Sequence, residues 1–140
     1  RNYRGYFQVA RRCLPPQGLF LLHSLASHVS VRRTDPWIAR YIFPNSMLPS
    51  AAQIAHALEG RFVLEDWHGF GADYDRTLQA WRHNVEAAWD RLDARYDARF
   101  RRMWRFYLGA SMATFRSRRS QLWQLVLSPR GVRGGYVAPR

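Results

Sequence analysis

Pro15 and Pro16, followed by Gln17 and Gly18, separate two apolar patterns of different period. Before this break, Tyr3 to Leu14 ("YRGYFQVARRCL") sets Tyr6, Val9, Ala10 and Cys13 on one face at helical spacing. After it, Leu19 to Leu25 is a short apolar run interrupted only by His23 and Ser24. Proline lacks an N–H and its ring clashes with the preceding turn, so the helix must stop at the pair; Gly18 then turns the chain. A strand with consecutive apolar residues suits burial on both faces, the habit of a parallel sheet. Helix, turn and buried strand together read as half of a βαβ unit, which favours an α/β domain over a helical bundle.

The remaining chain keeps this alternation. Ala26 to Asp35 is polar and reads as a loop. A short helix starts at Pro36, with Asp35 as N-cap and proline at the first position, and Pro44 ends it. "LPSAAQIAHALEG" is a second helix, capped by Ser50 and closed by Gly60. "RFVLEDW" follows as a strand with Phe62 and Leu64 on one side, and "HGFGAD" as a glycine-bearing loop. Tyr74 to Leu92 forms a long helix with Leu78, Trp81, Val85 and Trp89 at helical spacing, and Ala94 to about Arg118 another. Ser120 to Ser128 is a closing strand before a basic, glycine-rich tail. The order is α-β-loop-α-β-α-α-β, the short helix at Pro36 lying within the loop region, with perhaps three strands of a larger sheet. The Gly18–Leu25 strand would then lack an inner neighbour, so the chain is not expected to fold independently.

At 140 residues and 47% hydrophobic, the chain is about one domain and can bury a core. It begins with Arg1 and lacks a signal-like start, and so reads as a piece of something longer. All 22 basic residues are arginine and the net charge is +12. This predicts attraction to polyanions such as nucleic acid or an anionic membrane surface, unless it reflects an arginine- and alanine-rich composition. Cys13 is the only cysteine, which excludes an intrachain disulfide and fits a reducing compartment. No apolar run is long enough to span a bilayer, so membrane association would be peripheral.

Two places could carry chemistry. His23 follows apolar residues where a strand would leave the core, and open α/β sheets bind ligands beyond the carboxyl ends of their strands. A hydrogen-bonded structural imidazole explains the same position, and position alone favours it. "EDWHGFGADYDRT" combines a carboxylate pair, an imidazole, two glycines and Tyr74 between aspartates. Asp73 as N-cap and Asp75 in the first turn explain those carboxylates structurally, and such a cap could also aim Tyr74. The histidines lack metal-ligand spacing, so no metal is expected, and no GxSxG, P-loop or GxGxxG is present. The helix around "FRRMWRFYLGASMATFRSRR" has one aromatic face and one basic face. Either it faces a core with a solvated back, or its aromatics line an apolar channel while its arginines meet lipid phosphates.

"GLFLLHSL", "DPWIARYIFPNSMLPS", "FVLEDWHGFGADYDRTLQAW" and "FRRMWRFYLGASMATFRSRRSQLWQLV" occur in one order along nearly the whole chain. Together they resemble the cyclopropane-fatty-acyl-phospholipid synthases and their mycolic-acid relatives. The resemblance implies the C-terminal part of a class I S-adenosylmethionine-dependent methyltransferase fold (Rossmann-like), with residues 1–140 forming part of the catalytic domain, an incomplete sheet, and the cofactor-binding half upstream. It implies methylene transfer from S-adenosylmethionine to a cis double bond of a phospholipid acyl chain, with bound bicarbonate as base. Carried over by motif, the bicarbonate cradle comprises His23, the backbone amide of Leu25, and Tyr74. Trp37, Tyr41, Phe43, Phe70 and aromatics of the 100–115 helix are candidates for the walls of the substrate tunnel.

The chain departs from the family at Ser111, where many members carry a cysteine once proposed as a nucleophile; Cys13 does not match the family's upstream cysteine. The resemblance further implies a peripheral partner surface of membrane phospholipid at the cytoplasmic, inner membrane face, no nucleic acid, and a homodimer as one candidate assembly. This chain by itself is expected to be inactive. The alternatives are a related lipid methyltransferase making methyl branches and a non-catalytic basic module binding lipid or nucleic acid.

Overall fold

The structure, a computed structural model, describes residues 2–92 and 95–139. It contains two compact units, one built from residues up to Phe70 together with those from Gln121 onward, the other from Gly71–Ser120.

The first unit contains α1 (Tyr3–Arg12), β1 (Phe20–Ser27), α2 (Pro36–Tyr41), α3 (Ala51–Leu58), β2 (Val63–Gly69) and nearly all of β3 (Ser120–Ser128). Local chemistry sets the helix ends. The Asn2 side chain accepts the Gly5 amide at the start of α1. Asp35 accepts the amides of Trp37 and Ile38 ahead of α2. Ser50 and Gln53 form a reciprocal capping box on α3. After α1, the Gly18 amide donates to the Pro15 carbonyl at 2.9 Å, which makes the turn into β1.

The sheet order is β1-β3-β2, and β3 runs antiparallel to β2 with Trp67 opposite Leu125 and His68 opposite Gln124. The parallel sheet expected from the apolar run is therefore not what these strands form. Nor is that run buried on both faces. Phe20 and Leu22 pack on the core, whereas Leu19 and Leu21 are exposed, Leu21 by 57%. The doubly buried strand is β3, which occupies the middle position; Leu122, Leu125, Val126 and Leu127 are all buried there.

Phe7, Ile54, Ala57, Leu58, Leu125 and Leu127 form the core between α1, α3 and one sheet face, with Tyr3, Phe62, Trp67 and Trp123 around them. The expected α1 face is corrected here. Phe7 is its buried residue, Tyr6 and Val9 are half-exposed, and Cys13 is exposed. Burying the large Phe7 ring, edge-on to Phe62 at 6.2 Å, outweighs burying the smaller set.

A bulge between Leu64 and Asp66 interrupts the β2–β3 register. Beside it, the Glu65 carboxylate accepts the Ser128 hydroxyl and the Val132 amide, the latter at 2.9 Å. The first half of the carboxylate pair thus anchors the segment that follows β3.

The second unit contains α4 (Gly71–Ala88), a 3₁₀ turn (Trp89–Arg91) and α5 (Ala98–Arg116). Its helices lie antiparallel, because Asp75 near the start of α4 pairs with Arg116 at the end of α5, while Glu86 near the end of α4 pairs with Arg101 and Arg105 near the start of α5. Leu78, Leu108 and Phe115 are buried in this unit. Asp97 caps α5 by accepting the Phe100 amide at 2.8 Å; the helix start expected at Ala94 lies outside the described residues.

The expected "HGFGAD" loop is absent. His68 and Gly69 complete β2, Phe70 alone links it to the next element, and α4 begins at Gly71. Asp73 lies inside the first turn and is not its N-cap, where its charge still complements the helix dipole.

Hydrogen bonds from Arg105 and then Arg101 hold the Glu86 carboxyl at about 2, below its usual 4.5. A carboxylate lowered on folding adds stability above its unfolded value and loses it as pH falls through the folded one. Equilibrium unfolding of the full-length protein and of Glu86→Gln should therefore show a stability gap that closes between pH 4.5 and about 2. The gap should be modest, since Arg105 is solvent-screened. A gap independent of pH would contradict the pairing.

Candidate functional site

His23 lies on β1, which continues to Ser27, so it is a mid-strand residue and not the strand end expected. Nε2 of Gln124 on β3 stands 3.1 Å from its Nδ1. His68 is the cross-strand partner of Gln124, so His23, Gln124 and His68 form a polar row across β1, β3 and β2 on one sheet face. The opposite face carries Leu125 and Trp67. The His68 ring rests on Phe70, with centroids 4.0 Å apart.

A cavity of about 440 Å³ is lined by Tyr3, Tyr6, Leu22, His23, Ser24 and Met47, among others. Ser24 donates its hydroxyl to the Leu25 carbonyl at 2.8 Å. Ala26, next to Leu25, is fully buried. The strand around the Leu25 amide is therefore held both by its side chains and by packing.

Tyr74 belongs to the second unit, one turn into α4. Its ring packs against Phe115 at 4.9 Å and edge-on to Trp81 at 5.8 Å. Burial raises its phenol above the ordinary value of 10, so at neutral pH it retains its proton and can donate. Next to it, burial also raises Tyr107; a hydrogen bond with Ser111 opposes that shift, and Tyr74 adds to it. The Tyr107 and Ser111 hydroxyls are thus hydrogen-bonded to each other on α5.

Along α5, the Phe100 ring stacks on Trp104 at 5.8 Å, and Trp104 meets the Tyr107 ring at a tilt, 5.2 Å away. The Arg116 guanidinium donates to the Asp75 carboxylate, adjacent to Tyr74, at 3.1 Å. This bond ties the start of α4 to the end of α5.

Of the expected tunnel residues, Trp37 and Tyr41 are in ring contact at 5.5 Å on α2, with Arg40 over the Tyr41 ring. Phe43 follows α2 and is half-exposed. Phe70 pairs with His68 at the end of β2. Among the described residues, no cluster of three or more His, Cys, Asp or Glu side chains could hold a metal ion.

A family model described as mycolic acid cyclopropane synthetase matches residues 1–125. The chain belongs to this family. It is 52% identical over 140 residues to the cyclopropane-fatty-acyl-phospholipid synthase of Escherichia coli strain K12, covering all of this chain and 36% of that protein. The cyclopropane synthase MmaA2 of Mycobacterium tuberculosis shares its fold with a TM-score of 0.80 at 21% identity. The mycolic acid cyclopropane synthase CmaA1, solved with SAH and CTAB, follows at 0.78 and 23%. Each match covers 91% of this chain and 50% of the solved one. The architecture is therefore that of part of the methyltransferase fold of the cyclopropane synthases.

Sequence reasoning missed two partners, Gln124 for His23 and Phe115 for Tyr74. The available signal for Gln124 was a polar residue inside the apolar strand "QLWQLVL". From sequence, Phe115 is only one aromatic of a helical face.

Proposed function

We propose that the full-length protein carrying this chain transfers a methylene group from S-adenosylmethionine to the cis double bond of phospholipid acyl chains, forming cyclopropane rings. The observation that carries this reading is the 52% identity over the whole chain to a curated cyclopropane-fatty-acyl-phospholipid synthase. When bound, S-adenosylmethionine supplies an electrophilic methyl carbon. Ring formation then requires that a proton leave that carbon, so that its C–H pair can close the second ring bond.

This chain contributes neutral donors and aromatic walls. His23, the Leu25 amide and Tyr74 would hold bicarbonate as the proton acceptor. The donor chemistry fits: Tyr74 stays a phenol, and one ring nitrogen of His23 is engaged by Gln124. A weakly basic anion held by neutral groups takes a proton without exposing a protein nucleophile to alkylation. Aromatic faces along α5, with Trp37, Tyr41, Phe43 and Phe70, would stabilise positive charge developing on the acyl chain and exclude water.

In this reading the partner is a phospholipid surface at the inner membrane face, met peripherally. No helix among the described residues is long and apolar enough to cross a membrane. The net charge of +12 favours anionic headgroups. Lipid mass spectrometry of cells expressing the full-length protein tests the proposal: unsaturated chains should gain one CH₂ unit, and unchanged acyl chains would refute it.

A further inference from the structure

Gln124 is a polar side chain on the central strand, flanked on β3 by Trp123 and Leu125. Its amide nitrogen lies 3.1 Å from Nδ1 of His23. A carboxamide NH₂ has only protons to give, so the ring nitrogen facing it must carry a lone pair. A neutral imidazole holds one proton, which then resides on Nε2. We propose that Gln124 is a positioning residue that fixes His23 as the Nε2–H tautomer, with Nε2 presented as a hydrogen-bond donor. The link to catalysis rests on the anion cradle proposed above; the tautomer assignment does not.

The placement on the sheet supports this role. His68 stands opposite Gln124 on β2, and its ring is packed on Phe70. Gln124 therefore stands between two histidines on one face, on the strand that gives Leu125 and Leu127 to the core. The hydrogen bond that one ring nitrogen makes determines which nitrogen is protonated and where the ring points. A donor at Nδ1 suits a site that must offer an N–H to an anion. An acceptor at Nδ1 would turn a lone pair toward the anion instead.

The test uses full-length protein labelled with ¹⁵N-histidine, at a pH where the His23 ring nitrogen shifts no longer change with pH on the alkaline side. The His23 signals are identified by their loss in His23→Gln. Long-range proton–nitrogen spectra should show the Nε2–H pattern in the unmodified protein. In Gln124→Glu, a carboxylate acceptor should move the proton to Nδ1. Turnover of that variant should fall by about tenfold or more, as for other groups that orient a functional histidine.

An Nδ1–H pattern in the unmodified protein, or an unchanged pattern in Gln124→Glu, would overturn the assignment. A shifted proton with undiminished turnover would uphold the role of Gln124 and overturn the donor role of His23. The spectrum of the unmodified protein decides the first question even if a variant fails to fold.

Discussion

Tyr74→Phe in the full-length protein is expected to lower methylene transfer by about 10²–10³-fold, the range associated with losing one positioned hydrogen-bond donor to an anion in a site. The substitution removes one hydroxyl and keeps the ring. The contacts to Phe115 and Trp81 are made by the ring, so the second unit should retain its packing. Burial keeps the Tyr74 hydroxyl protonated, so its contribution at neutral pH is that of a neutral donor. His23→Gln should produce a loss of similar order, since it replaces the ring that Gln124 orients. Initial rates together with thermal unfolding separate the two contributions: turnover should collapse while the midpoint barely moves. Full activity in both variants would remove the anion cradle from the mechanism.

Leu125→Ala should destabilise the protein by about 2–5 kcal/mol, the range for removing a large aliphatic side chain from a packed core. Leu125 is fully buried on the central strand. It belongs to the cluster that includes Phe7, Ile54 and Leu127, and its cross-strand partner is Trp67. Truncation leaves a cavity walled by two helices and a sheet, which cannot all close on it at once. Urea unfolding of the full-length protein measures the loss. A change well under about 1 kcal/mol would mean that this cluster is not its core.

The features that could be read from sequence are local ones. Asp35 and Ser50 cap their helices because a side-chain oxygen meets an amide two or three residues on. Ser120 to Ser128 stands as expected, its polar ends bounding an apolar run. What could not be read depends on contacts distant in the chain. The face that α1 buries is decided by Phe7 meeting Phe62. Likewise, among the described residues β3 takes the middle of the sheet order and is the strand buried on both faces, while Leu21 on β1 is exposed.

The site follows the same rule. The roles of His23 and Tyr74 come from family motifs, because position alone favours a structural His23. Their partners Gln124 and Phe115 come from β3 and α5, and become visible only once those elements are placed beside β1 and α4. The expected loop before Tyr74 failed because Gly69 fits as the last residue of a strand and Gly71 as the first of a helix.

The central claim is that a methyl carbon becomes a ring methylene by losing one proton to a base held by this chain. Full-length protein supplied with S-adenosylmethionine bearing a CD₃ group, and with vesicles of a cis-unsaturated phospholipid, tests it directly. Each product chain should gain one CD₂ unit, with the high-field proton signals of a cyclopropane and no remaining alkene. Retention of an intact CD₃ group on the product, or no gain of label at all, would contradict the account.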